Sequence, residues 1–277
     1  MALGSMWKFW RFNWHFALRN FVTGLDYVRC LEYPLVFEHL NFAHGGQLLD
    51  MGSGHSIFPL YIANNTNVSV VALDERDWVQ WQHRMAKKLR RKGVLRNNHF
   101  EVVVGDARSL CFNNDHFDYI SSISAIEHIE GDGDTAAIRE LSRVLKPGGR
   151  LVLTVPFNYQ CYKEFWISTN TYAAVYRGVP LFYQRHYDDD ALWKRLIEPS
   201  RLHLVKKANF GEPSIRCFNT LYANPRVPLA VKAFYLWLTP LFASRFLRIL
   251  DDKEIKTKES LPMVTAEGAL LVLEKRQ

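Results

Sequence analysis

The order of apolar and amphipathic segments predicts an α/β protein with a mostly parallel sheet between layers of helices. Three observations carry this. Apolar runs at 47–50, 68–73, 100–104, 117–123 and 150–155 read as strands, and helical patterns at about 57–64, 76–92 and 134–145 lie among them. Such alternation implies parallel strands joined by right-handed crossovers. The first run ends in Asp50 and breaks through Gly52 and Gly54, a bend that aims backbone N–H groups at a ligand. Pro147-Gly148-Gly149 is expected to end the third helix before the fifth strand.

At 277 residues and 48% hydrophobic content, the chain can bury one large core with additions. Cys30, Cys111, Cys161 and Cys217 form no Cys-x-x-Cys pair, which suits reduced thiols in a cytoplasmic protein and gives no zinc site. The net charge of +7 leaves nucleic acid, an anionic membrane surface or an anionic substrate open as partners. Lys87, Lys88, Arg90, Arg91 and Lys92 cluster at a helix end, where cations suit the dipole.

Lys8, Arg11, His15 and Arg19 interrupt every apolar run near the N-terminus, so no signal peptide is expected. Met1-Ala2-Leu3-Gly4-Ser5 resembles an expression-tag remnant. Trp7, Trp10, Trp14, Leu18 and Phe21 form a helical aromatic stripe opposite a basic one, so residues 1–45 read as a helical extension ahead of a domain at 46–277. Residues 157–187 read as an aromatic, loop-like insertion. A helix at 189–197 with Asp188 as N-cap, a strand at 202–208 and a terminal strand at 269–273 follow. The helical insertion 211–267 contains the apolar and basic run Val227 to Leu250, whose uninterrupted core, Ala233 to Ala243, is too short to span a bilayer and is marked by Pro240.

The glycine turn lacks the third glycine of a dinucleotide fingerprint, because Ile57 stands there, which argues against NAD. Asp50-x-Gly52-x-Gly54 resembles motif I of class I S-adenosylmethionine-dependent methyltransferases. The companion segments resemble that family in order: Val70 to Asp74, Val104-Gly105-Asp106-Ala107, Phe117 to Ile129, and Leu145-Lys146-Pro147-Gly148-Gly149. The resemblance covers about residues 47–156. It implies a Rossmann-like three-layer sandwich with a seven-stranded sheet, mostly parallel, whose last strand is antiparallel. It also implies S-adenosyl-L-methionine as cofactor, with S-adenosyl-L-homocysteine as product. Asp50, Gly52, Ser53, Gly54, Asp74, Asp106, Ala107 and Ser124 would then bind it, Asp74 at the ribose diol and Asp106 facing the adenine amino group.

His186 and His128 are candidate general bases. Arg185 is a candidate for pairing with a substrate carboxylate or phosphate. Ser124-Ala125-Ile126-Glu127-His128 partly resembles the Glu-x-x-Glu-His metal site of some methyltransferases, but Ser124 replaces the first glutamate and no metal is expected. The aromatic and apolar insertions suggest a small or lipid-like acceptor, methylated at a hydroxyl oxygen. RNA methylation and a non-catalytic cofactor-binding subunit are the alternatives, and the absence of an RNA-binding module disfavours nucleic acid. Cytoplasmic placement is expected; peripheral contact with the inner membrane surface through 225–250, and a homodimer, are further readings.

Overall fold

The computed structural model describes residues 3–13, 15, 26–42, 45–95, 99–170, 175–213, 217–222, 224, 226–228, 230–232, 234, 238–251, 254, 263 and 265–277. A central sheet runs in the order β3-β2-β1-β4-β5-β10-β8-β9. Its members are β1 (Gly46–Met51), β2 (Val68–Asp74), β3 (Phe100–Val104), β4 (Phe117–Ile123), β5 (Leu145–Pro156), β8 (His203–Gly211), β9 (Arg248–Ile249) and β10 (Gly268–Glu274). The first five strands pair in parallel, and β10 lies antiparallel between β5 and β8. This is the expected seven-stranded sheet, widened by the two-residue strand β9 beside β8.

Both faces are covered. One carries the helices α1 (Leu3–Asn13), α2 (Arg29–Leu40), α3 (Phe58–Asn65) and α4 (Gln80–Arg91). Met6, Phe9, Leu31, Val36 and Phe58 share a single apolar cluster there with Leu48, Val70 and Val152 of the sheet. The other face packs α5 (Gly133–Val144) and the helical run α6 (189–200) against Leu49, Ile120, Leu151 and Leu271. Strands buried on both faces read as continuous apolar runs, which is why they were so visible in the sequence.

Asp188 caps the run at 189–200 as expected, accepting a hydrogen bond from the Ala191 N–H at 2.8 Å. Three expectations change. Met6, Phe9 and Phe12 form the buried stripe of α1, whereas Trp7 and Trp10 are half-buried; Trp14, Leu18, Arg19 and Phe21 lie outside the described residues. The cause is the partner surface: Phe9 stacks on Tyr61 with ring centroids 3.8 Å apart and also meets Phe58, Tyr33 and Phe37.

Second, the segment 157–187 is not a loop throughout. It contains an antiparallel hairpin of β6 (Lys163–Ile167) and β7 (Leu181–His186), separate from the main sheet; Tyr172 falls outside the described residues. Third, Leu145 already starts β5, and pairing with β4 shifts between Phe117 and Tyr119, so Pro147-Gly148-Gly149 sits in an irregularity of the strand. A Cβ at Gly149 would stand 2.8 Å from the Lys146 carbonyl oxygen, which explains the glycine. Of the insertion 211–267, the described parts include Phe218–Tyr222 and α7 (Thr239–Phe246), while 233 and 235–237 of its apolar core lie outside them.

Candidate active site

A crevice opens at the carboxyl ends of β1, β2, β3 and β4. It is lined by Arg29, Gly52, Gly54, His55, Asp74, Trp78, Asp106, Ala107, Ser124 and His128, among others. Gly52 and Gly54 have φ of +72° and +45°, conformations that side chains other than glycine resist. A Cβ on Gly52 would meet the Ala125 Cβ at 2.2 Å, so the turn tolerates only hydrogen there.

The turn is held from below. Gln82 of α4, wholly buried, directs its amide nitrogen to Ser53 Oγ at 2.9 Å and to the Ser56 carbonyl at 2.8 Å. Ser53 therefore backs the turn and does not line the crevice. Asp50 also lies beneath it, 3% exposed, accepting a 2.6 Å hydrogen bond from Ser121 Oγ. Burial pushes its pKa up to about 6, partly offset by bonds from Ser121 and Ser53.

Asp74 closes the turn from the side. Its Oδ2 accepts the Gly54 N–H at 3.0 Å, and its Oδ1 accepts the Arg76 N–H at 3.0 Å and Trp78 Nε1 at 2.8 Å. A carboxylate offers roughly four acceptor sites, so three donors leave capacity for a hydroxyl of a bound ligand. A Cβ on Gly54 would stand at ordinary contact distance, 3.7 Å, from Asp74 Oδ2, so the positive φ and not crowding calls for glycine there. Asp106 follows β3 and is gripped by Arg108 through bonds of 3.0 and 2.7 Å, which hold its carboxyl below the usual range.

Opposite the turn, Ser124 adopts φ +43° and donates to Glu32 Oε1 at 2.7 Å. Glu32 is buried and paired with Arg29 of the same helix, whose guanidinium reaches the crevice wall. Burial pushes the neighbouring Glu127 carboxyl up to about 8, and its Oε2 finds no partner among the described residues. His128 Nδ1 lies 2.6 Å from the Tyr183 carbonyl oxygen, so it carries the proton and Nε2 holds the lone pair. Burial lowers this imidazole to about 4, leaving it neutral at pH 7.

The crevice thus brings together Gly52, Gly54, Asp74, Asp106, Ala107, Ser124 and His128 of the expected residues. His186 is not among its lining. Its ring is wholly buried against Phe165, with Nε2 3.0 Å from the Met263 carbonyl oxygen, and burial lowers it to about 4. Arg185 does not face a substrate either: fully buried, it donates to the Ile129 and Gly131 carbonyls at 2.7 and 2.9 Å and pairs with Asp134. Glu32 and Gln82 were missed, because their contacts to Ser124 and Ser53 span 92 and 29 positions that no local pattern marks, and Arg29 was missed with Glu32, its partner on the same helix. Trp78, four positions after Asp74, was the one with a local signal.

An open sheet, a tight glycine bend and strand-end acids at one crevice define a nucleotide-binding α/β domain of Rossmann-like type. More narrowly, this is a class I S-adenosylmethionine-dependent methyltransferase domain: residues 49–153 match the family described as "Methyltransferase domain". The chain is 28% identical over 137 residues to a demethylmenaquinone methyltransferase of Staphylococcus saprophyticus, covering 47% of this chain and 56% of that protein. It is 33% identical over 115 residues to a ubiquinone/menaquinone biosynthesis C-methyltransferase of Pseudomonas fluorescens, covering 40% and 41%. The chain thus spans about half the length of these curated relatives. The fold matches 1,6-didemethyltoxoflavin-N1-methyltransferase of Burkholderia thailandensis with a TM-score of 0.55 and 14% identity, over 99% of this chain and 89% of that one. A methyltransferase of Methanosarcina mazei matches with a TM-score of 0.54 and 17% identity, over 88% and 98%.

Proposed function

We propose that the protein transfers a methyl group from S-adenosylmethionine to a small or amphiphilic acceptor, at a hydroxyl oxygen. The observation that carries this reading is the crevice itself, where Asp74 retains acceptor capacity beside a side-chain-free bend and His128 presents an unprotonated nitrogen. Asp74 would hold the ribose hydroxyls, Gly52 and Gly54 the methionine portion, and Asp106 with Ala107 the adenine. Ser53 supports the bend, and Asp50 supports it by accepting a hydrogen bond from Ser53. The cofactor supplies a methyl group on a sulfonium centre, already an activated electrophile. The chain's own task is alignment, which is worth on the order of 7–11 kcal/mol in favourable intramolecular models. His128 Nε2 would accept the acceptor's hydroxyl proton, with the Tyr183 carbonyl fixing the ring.

A second reading places the methyl on carbon, and the relative named as a ubiquinone/menaquinone biosynthesis C-methyltransferase favours it. The same His128 would then remove a proton from a phenolic ring. An amphiphilic acceptor agrees with peripheral membrane contact through 225–250, where Val231 and Phe234 are exposed. No helix among the described residues is long and apolar enough to cross a membrane.

Labelled methyl transferred from S-adenosylmethionine into cell extracts, followed by product identification, tests the reading and separates O- from C-methylation. Asp74→Ala is expected to weaken cofactor binding at least about tenfold by calorimetry; unchanged affinity would remove the ribose assignment. His128→Ala is expected to lower turnover about 100-fold or more with cofactor affinity retained.

A further inference from the structure

One face of the molecule carries cations that form no ion pair among the described residues. α4 buries Trp81, Ala86 and Leu89, and its opposite stripe holds Arg84, Lys87, Lys88 and Arg91 at successive spacings of three, one and three. Together with Lys92 they line one shallow groove. No Asp or Glu occurs between Asp77 and Glu101, and none of these five side chains forms an ion pair among the described residues. The helix dipole accounts only for cations in the last turn, so Arg84 and Lys87 stand outside its reach. Like charges three and four positions apart also destabilise a helix, so α4 alone gives no reason for the stripe.

The charge continues onto the N-terminal segment. Burial lowers the pKa of His15, and the nearby charges of Lys92 and Arg11 lower it further. α1, which carries Arg11, packs against α7, where Leu241 is exposed. Cations thus adjoin a surface with exposed aliphatic side chains. Trp81, the aromatic on the helix, is buried and offers no stacking platform for bases.

We propose that the α4 stripe docks the protein on an anionic phospholipid bilayer, with Arg84, Lys87, Lys88 and Arg91 against the headgroups. This deepens the membrane contact suggested above and rests on that reading. Each cation near such a surface adds to the attraction, and the effect decays within a Debye length.

The experiment is co-sedimentation of the full chain with vesicles of phosphatidylcholine alone, or mixed with phosphatidylglycerol. The wild type is expected to bind the mixed vesicles only, and to be released by salt. A variant carrying Arg84→Gln, Lys87→Gln, Lys88→Gln and Arg91→Gln is expected to lose at least about tenfold in partitioning. Its thermal midpoint should match wild type, which separates lost binding from lost folding. A second variant, Phe234→Ser with Leu241→Ser, isolates the 225–250 contact. If it loses binding while the quadruple variant keeps it, the stripe is overturned and the apolar contact stands. Equal binding to neutral vesicles overturns the stripe, and no binding to either vesicle overturns both. Indifference to vesicles, with single-stranded RNA binding abolished in the quadruple variant, assigns the stripe to nucleic acid instead.

Discussion

The glycine turn at 52–56 lines the crevice and the hairpin of β6 and β7 stands behind it, holding His128 through the Tyr183 carbonyl, and each is pinned by one buried polar side chain reaching backbone carbonyls. Gln82 does this for the turn and Arg185 for the hairpin. The difference lies in charge. Gln82 is neutral, so its loss removes hydrogen bonds only. Arg185 is a buried cation facing Asp134, with Arg195 as that acid's second partner. Removing the cation leaves a buried carboxylate half-compensated, and such penalties exceed the value of the bonds. The turn is therefore fixed by local backbone shape, the hairpin by long-range electrostatics.

Arg185→Met should break the comparison most strongly, lowering stability by about 3–5 kcal/mol in denaturant unfolding. Because the Tyr183 carbonyl that orients His128 belongs to the hairpin, turnover should fall even where the fold survives. Gly52→Val strikes the other region. Positive φ and the clash with Ala125 should lower stability by about 3 kcal/mol and abolish cofactor binding in calorimetry.

Glu127 lies between the two regions and sharpens the contrast through pH. Its carboxyl is raised to about 8 from the usual 4.5, so the folded state holds a proton that the unfolded chain has lost. Stability contributed this way falls as pH rises from about 4.5 to about 8. Glu127→Gln should flatten that slope and stabilise the protein by about 1–3 kcal/mol at pH 8, with little gain at pH 4, measured by urea midpoints. Gln82→Leu should have the smallest effect, about 1–2 kcal/mol, with a modest loss of cofactor affinity. If Gln82→Leu costs as much as Arg185→Met, the distinction between shape and charge fails.

The same contrast explains what was legible. Gly52 and Gly54 were legible as a tight bend and Asp74 as an acid at a strand tip beside it, because each acts through its own backbone or a neighbouring strand end. The parallel strands were legible from apolar runs alternating with helices, but their order in the sheet, set by long-range pairing, was not. The aromatic hairpin escaped detection because its pairing is irregular between Phe165 and Trp166, blurring the two-residue period. α1 offered two stripes, and only the stacking of Phe9 on Tyr61 decides between them. His186 was expected at the crevice mouth because it precedes the capped run at 189–200; the hairpin turns its ring toward Met263.

β10 is among the last elements of the chain, yet it fills a position inside the sheet between β5 and β8. A ribosome must therefore release Gly268 to Glu274 before the facing edges of those two strands have a partner, although β5 already pairs with β4 and β8 with β9. Until that moment their open edges invite association with other chains, so a nascent polypeptide halted short of Gly268 should be a client for chaperones. Closure of the sheet waits on β10, however early the other strands fold.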